Sequence, residues 1–327
     1  MILIQWPDTD AYFNLAAEEY VFSQLDRQQE YLLLWQNRNA IVVGLHQNTY
    51  EEINPDFVKQ NNVQVVRRLT GGGAVYHDMG NLNFSFVVHA DGKGFNFRLL
   101  ALPVIQTLNR LGVAAEFNGR NDLTIGGLKI SGNAEMMKGD RLLHHGTLLF
   151  NANLETLSSA LKVKGDKIES KGIKSVRSRV TNIQDHLPGL TIDAFKDVLV
   201  EEINRSDRQI TECAFTEADR AAISKLREEK YSTWTWNYGK SPDYNIKKER
   251  RFTGGGLSLY MTVQKGLIQS FSIFGDFFGE GDLSKIEHRL VGVEMREEAI
   301  AAALDGVDFP VYIHDLSTEE FINMVVS

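Results

Sequence analysis

The chain has 327 residues, 43% of them hydrophobic, and a formal net charge of −8 at pH 7, which is length for about two domains and for a core that needs no covalent staple. One cysteine, Cys213, excludes an internal disulfide and a cysteine-ligated metal cluster, and fits a reducing, cytoplasmic setting. The acidic balance speaks against nucleic-acid binding, and the apolar runs fall far short of the ~18 residues of a membrane helix.

The first residues, Met1-Ile-Leu-Ile-Gln-Trp, lack the charged start of a signal peptide and read as a strand. Residues 14–25 carry Leu15, Ala16, Tyr20 and Phe22 at helical recurrence, which predicts an amphipathic helix. Short apolar runs at 31–35, 40–45 and 64–68 predict strands, and glycine-hinged runs at 74–77 and 83–89 extend them into an antiparallel meander. A helix is expected over 97–111, kinked or restarted at Pro103 and stopped by Gly112, because proline cannot donate the in-helix bond. Gly126-Gly127 separates strand candidates 122–125 and 128–131 as a tight hairpin, and 141–150 is a further strand. Helices follow at 191–204 and 216–230, the latter opened by Thr216 and Asp219 as an acidic capping box. Residues 234–245 mix Gly, Pro and Asn with aromatics and mark a boundary. Beyond it, 250–263 and 266–274 read as a hairpin, with helices near 284–290, 294–304 and from 318.

The strongest local feature is R-R-L-T-G-G-G-A-V-Y-H at 67–77. Three consecutive glycines let several N–H groups turn into one concavity suited to an anion, and Arg67 or Arg68 offers a planar fork beside it. A flexible hairpin with exposed arginines is the plainer alternative. The triplet recurs at 254–256 after Arg250 and Arg251, where no second polar constellation follows, and that copy reads as structural. In G-R-N-D-L-T-I-G-G-L-K-I-S-G at 119–132, Lys129 points opposite to Leu128 and Ile130 if the run is a strand. Its amine suits a bridge between a carboxyl oxygen and a phosphate, or it faces solvent. Asn121 and Asp122 suit a ribose, a metal or a turn cap. His144 and His145 lie on opposite strand faces and cannot readily chelate one metal, so one can reach a pocket while the other packs. Residues 162–179 hold seven cations and two anions, a loop able to fold over phosphates or simply a solvated charge run. P-loop, G-x-G-x-x-G, H-E-x-x-H and G-x-S-x-G patterns are missing from the sequence.

Taken in order, R-R-x-T-G-G-G-A-V (67–75), H-D-x-G-N (77–81), G-R-N-D-L (119–123), K-x-S-G (129–132), H-H-G-T-L-L (144–149) and K-G-I-x-S-V-R-S-R-V (171–180) resemble the lipoate-protein ligase A family over nearly the whole chain. The resemblance implies an α/β (α+β) fold: a biotin/lipoate protein ligase-like catalytic domain at 1–245 with mixed, mostly antiparallel sheets and flanking helices. A hinge at 234–245 would lead to a small α/β accessory domain at 246–327, which in the family swings once the adenylate forms. It further implies activation of lipoate by ATP with Mg²⁺, then transfer to a lysine of a carrier domain, by a cytoplasmic monomer. The carriers would be 2-oxoacid dehydrogenase E2 lipoyl domains, a glycine-cleavage H protein, or both; a nucleic-acid or membrane partner is not expected.

By the same resemblance Lys129 is catalytic, touching both the acyl carbonyl and the phosphate. Arg68, Gly71, Gly72, Gly73, Ala74, Val75, Tyr76, Asn121, Asp122, Lys171 and Arg177 match adenylate-binding positions, with Asp122 a candidate metal ligand. Trp35, Arg68, Gly73, His77 and Lys129 are assigned to the lipoate side, Trp35 as the match for the family's gating tryptophan; Leu45, Val43 and His145 are candidates for the same wall, Leu45 and Val43 equally for core. Two other readings compete. A transferase of the same fold that works through a cysteine thioester needs a thiolate at the acyl site, and Cys213 lies outside every motif. A lipoate sensor without catalysis would have lost groups that are present here.

Overall fold

The computed structural model describes residues 1–90, 96–161, 179–205, 209–239, 245–264 and 266–326. Its largest element is an eight-stranded sheet in the order β11-β1-β2-β6-β10-β9-β8-β7. The strands are β1 (Ile2–Gln5), β2 (Tyr31–Trp35), β6 (Asn81–His89), β7 (Ala115–Asn118), β8 (Asp122–Ile125), β9 (Leu128–Lys138), β10 (Arg141–Leu149) and β11 (Thr211–Cys213). Parallel pairing is confined to β11/β1 and β1/β2, and the rest is antiparallel.

Both faces of this sheet are covered, so β2 is apolar throughout and β6 and β10 are buried at nearly every position, even where they carry Asn, Ser, His or Thr. Leu32, Leu34, Phe84, Phe86 and Leu148 pack on one side with the helices Phe97–Arg110 and Ile192–Arg205. Tyr31, Leu33, Trp35, Val87 and Leu143 pack on the other with helix α1 (Ala11–Ser23) and the helix Glu217–Leu226. Asp10 caps α1, accepting from the Tyr12 N–H at 3.0 Å. The expected capping box of Thr216 and Asp219 is present.

A second sheet, β4-β3-β5, is formed by β3 (Ala40–Val43), β4 (Gln64–Arg67) and β5 (Val75–His77). It corrects the expected meander. The strands β4 and β5 on either side of the triglycine do not pair with each other; β4 runs parallel to β3 on one edge and β5 antiparallel on the other, while β6 belongs to the large sheet. Parallel pairing needs a crossover, and residues 44–63 supply it with the short helices Thr49–Glu52 and Pro55–Gln60. The helix Phe97–Arg110 is continuous through Pro103.

Residues from 246 onward build their own core. The strands β12 (Ile246–Phe252), β13 (Gly255–Gln264) and β14 (Leu267–Gly275) form an antiparallel sheet, packed on the helices Ser284–Leu290, Glu297–Ala303 and Thr318–Val326. The run 250–263 is thus two strands, not one, folded back at Thr253 and Gly254 so that Phe252 pairs with Gly255. This unit touches the first through Gly275 N–H to the His46 carbonyl (2.7 Å), Gly72 N–H to the Phe277 carbonyl (3.3 Å) and the Lys247–Glu51 ion pair (2.9 Å). Arg120 donates to the carbonyls of Gly254 and Asp276 and lies over the Phe278 ring. Among the described residues, no helix is long and apolar enough to cross a membrane.

Candidate functional site

Between the two sheets lies a cavity of about 130 Å³. The large sheet contributes Trp35, Asn83, Lys129, Gly132, Asn133, Ala134, His145 and Thr147; the small sheet and its loop contribute Val42, Arg68, Gly72, Gly73, Ala74, Val75 and His77. Strand periodicity sorts these residues. Val75 and His77 face the cavity while Tyr76 turns to the other side, its hydroxyl on Asn39 at 3.0 Å. Val42 lines the wall, whereas Val43 packs in the core of the small sheet and Leu45 is not on the wall. Of the three wall candidates read from the sequence, His145 lines the cavity and Val43 and Leu45 do not.

The triglycine is held from both sides. Gly72 has φ +88°, a left-handed value that L side chains resist. A Cβ at Gly44 would strike the Gly72 carbonyl, and one at Gly71 the Phe277 carbonyl, so the glycines permit close backbone approach as well as the turn.

The two arginines are not exposed forks. Arg67 is fully buried and donates to the carbonyls of Gly44, Leu45, Gln47, Trp236 and Asn237 and to the Thr49 hydroxyl. Arg68, 6% exposed, donates to Thr70 Oγ1 (3.0 Å) and to the carbonyls of Val42 (3.3 Å), Gly71 (2.5 Å) and Gly73 (2.9 Å). Burial pulls both guanidinium groups down to about 10, with Glu18 opposing the shift at Arg68; both remain cations at neutral pH. Arg68 therefore staples the glycine turn and lends it positive charge, while Arg67 ties the crossover to the segment 236–237.

Lys129 reaches the cavity beside Gly72 and Gly73, and its Nζ pairs with Asp122 Oδ1 at 2.7 Å. Gly132 leaves room for it, since a Cβ there would lie 3.1 Å from that Nζ. Asn121 Nδ2 donates to the Asn133 carbonyl at 2.6 Å, tying the hairpin to β9. The Lys129 N–H donates to the Arg179 carbonyl (2.7 Å) and its carbonyl accepts from Thr181 N–H (3.0 Å), so the chain leaving the cationic segment is pinned to the same strand position. Lys171 and Arg177 lie outside the described residues. Among the described residues no group of three or more His, Cys, Asp or Glu could hold a metal.

The histidine pair divides as the strand geometry requires. His145 lines the cavity, with Nδ1 on Glu18 (2.8 Å) and Nε2 on Thr70 Oγ1 (2.7 Å). His144 is buried on the opposite face against Glu135 at 2.8 Å. His77 is held by Asn37 (3.1 Å) and Thr147 (2.6 Å). Burial, with Arg68 and His145 nearby, depresses His77 from 6.5 to about 3, and burial lowers His144 as well. Groups that protonate more readily unfolded than folded favour unfolding in acid. Stability should be fully present above about 6.5 and decline as pH falls from there toward 3. Urea midpoints at pH 7 and 5 should show that decline, and His77→Gln should flatten it; an unchanged slope in that variant would refute the assignment.

Glu18, Thr70, Asn83 and Thr147 escaped the sequence reading. The one usable signal was a carboxylate on the apolar side of α1, three residues after Leu15 and three before Val21. Cys213 is exposed at the end of β11, away from the cavity.

Two sequence profiles match the chain: the lipoyl protein ligase A/B catalytic domain over residues 10–204 and the bacterial lipoate protein ligase C-terminus over 241–325. The lipoate-protein ligase LplJ of Bacillus subtilis is 47% identical over 320 residues, covering 97% of each chain. A crystal structure of P. falciparum LipL1 in complex with lipoate superposes with TM-score 0.80 at 25% identity, covering 99% of this chain and 98% of that one. A lipoate-protein ligase A bound with ATP gives TM-score 0.65 at 30% identity, covering 73% and 98%.

Proposed function

We propose, on the premise that this chain belongs to the lipoate-protein ligase family, the following division of labour for an ATP-dependent lipoate-protein ligase. A lipoate carboxylate oxygen attacks the α-phosphorus of ATP, and the bond to pyrophosphate breaks. The neutral amine of a carrier lysine then attacks the acyl carbon; the carbon–oxygen bond to phosphate breaks, AMP departs with that electron pair, and the amine loses a proton. The observation that carries the assignment is the convergence of Lys129, the Gly72-Gly73 turn and the Arg68 charge on one cavity between the sheets.

Ligand pockets usually measure ~300–1,000 Å³, so a cavity of about 130 Å³ suits the acyl end alone. The nucleotide would lie toward the open side, where Lys129, Asn121 and Asp122 stand. Lipoate's roughly four linker methylenes, at ~0.8 kcal/mol each, give about 3 kcal/mol of apolar binding against Trp35 and Val42. Lys129 would leave Asp122 for the phosphate and the developing carbonyl charge, an electrostatic role. Asp122, freed, would be the side chain to hold a nucleotide-bound Mg²⁺, which would share the phosphate charge. Lys171 and Arg177, from the cationic segment, are assigned to the phosphate side by resemblance.

We take residues 1–245 as catalytic and 246–327 as accessory, the enzyme acting as a cytoplasmic monomer on apo lipoyl domains or H protein. In the test, pyrophosphate release should require both lipoate and ATP, and Cys213→Ser should keep lipoylation of apo-carrier within about twofold, as for a surface change. Transfer without ATP that stops in Cys213→Ser would establish the thioester route instead. Absence of pyrophosphate release at saturating substrates would favour a sensor.

A further inference from the structure

Glu18 is 1% exposed and lies outside the cavity wall, yet two hydrogen-bond arms from that wall end on it. On one arm, Arg68 Nε donates to Thr70 Oγ1 (3.0 Å), Thr70 Oγ1 meets His145 Nε2 (2.7 Å), and His145 Nδ1 meets Glu18 Oε1 (2.8 Å). On the other, Trp35 Nε1 donates to Ser85 Oγ (3.0 Å), and Ser85 Oγ donates to the same Glu18 oxygen (2.6 Å). The groups at the two ends set the direction. Guanidinium and indole N–H groups only donate, and a carboxylate only accepts. The Glu18 carboxylate, which only accepts, requires the proton on His145 Nδ1; in a neutral ring Nε2 then accepts the single proton of Thr70, whose oxygen accepts in turn from Arg68.

We infer that Glu18 is a positioning residue: its buried carboxylate fixes the His145 tautomer and, through Thr70 and Arg68, the shape of the triglycine turn, while its second arm fixes the Trp35 indole. The far end of the first arm is what makes this consequential. Arg68 Nη2 holds the Gly71 and Gly73 carbonyls at 2.5 and 2.9 Å, so its placement decides where the neighbouring N–H groups point. The inference rests on the ligase reading for the assignment of the turn to nucleotide and the indole to lipoate.

The two arms can be cut separately. Thr70→Val should raise KM for ATP about tenfold and leave the lipoate Kd within threefold; Ser85→Ala should do the reverse. Glu18→Gln keeps an acceptor oxygen for both arms but removes the charge, and charge-assisted bonds are roughly twice as strong as neutral ones, so both constants should rise. The Glu18→Gln/Thr70→Val double variant should be no worse toward ATP than the worse single, as members of one chain are not additive. Thermal unfolding checks that each variant is folded, and if Glu18→Gln is not, the Thr70→Val and Ser85→Ala pair still decides. Long-range ¹⁵N NMR of the free protein should find the His145 proton on Nδ1. A proton on Nε2, equal effects of both single cuts on both substrates, or multiplying losses in the double variant would each overturn the inference. Failure of the wild type to release pyrophosphate would strike the ligase reading instead, and the NMR result would still judge the chain of bonds.

Discussion

Lys129→Ala should lower the rate of lipoyl-adenylate formation by about 10²–10³-fold, the usual cost of deleting one preorganised electrostatic group from a reacting centre. The fold should survive the change. The Lys129 and Asp122 side chains are 39% and 36% exposed, and partly exposed pairs contribute about 1 kcal/mol or less. Unfolding midpoints should therefore stay close to wild type while single-turnover adenylation collapses. Lys129→Arg should not restore the rate, because a planar fork is not a substitute for a compact ammonium. Adenylation within threefold of wild type in the alanine variant would remove Lys129 from the chemistry.

The largest effect on stability should come from Arg67, the arginine that the sequence offered as a ligand fork. Its side chain is wholly buried and donates to five carbonyls and one hydroxyl. Arg67→Met keeps an apolar stem but leaves those acceptors without their donor, and each buried unsatisfied group costs about 1–3 kcal/mol. With partial relaxation the total loss should be about 3–5 kcal/mol, as when a buried charge network is broken. Urea unfolding of the two proteins measures it. The crossover loop and the segment 236–237 should also become susceptible to limited proteolysis, since Arg67 is their shared tie. A loss under about 1 kcal/mol would mean that water replaces the guanidinium at little cost and that the tie is not structural.

Local chemistry made much of this molecule legible. The Gly126-Gly127 hairpin, the Thr216/Asp219 cap and the opposite faces of His144 and His145 follow from φ, capping and period-two geometry, which neighbouring residues alone decide. What failed was long-range. Nothing near residues 64–77 says that β3 lies between β4 and β5, because that pairing depends on the crossover at 44–63. Val43 and Val42 differ in the sequence only by one register step, yet one is core and the other lines the cavity. Arg67 and Arg68 resemble exposed ligands until their carbonyl partners, drawn from the three segments 42–47, 71–73 and 236–237, are in place. The residues themselves offered the glycine cradle and Lys129, and the family resemblance gave them roles, but neither pointed to Glu18, whose partners lie on β6 and β10.

The most direct measurement is a crystal structure with a non-hydrolysable lipoyl-adenylate analogue bound. Lys129 Nζ should have left Asp122 and stand about 3 Å from both the acyl carbonyl oxygen and a phosphate-position oxygen, with backbone N–H groups of the 71–73 turn facing the latter. An analogue seated elsewhere, or Lys129 still paired with Asp122 while the acyl group occupies the cavity, would contradict the account.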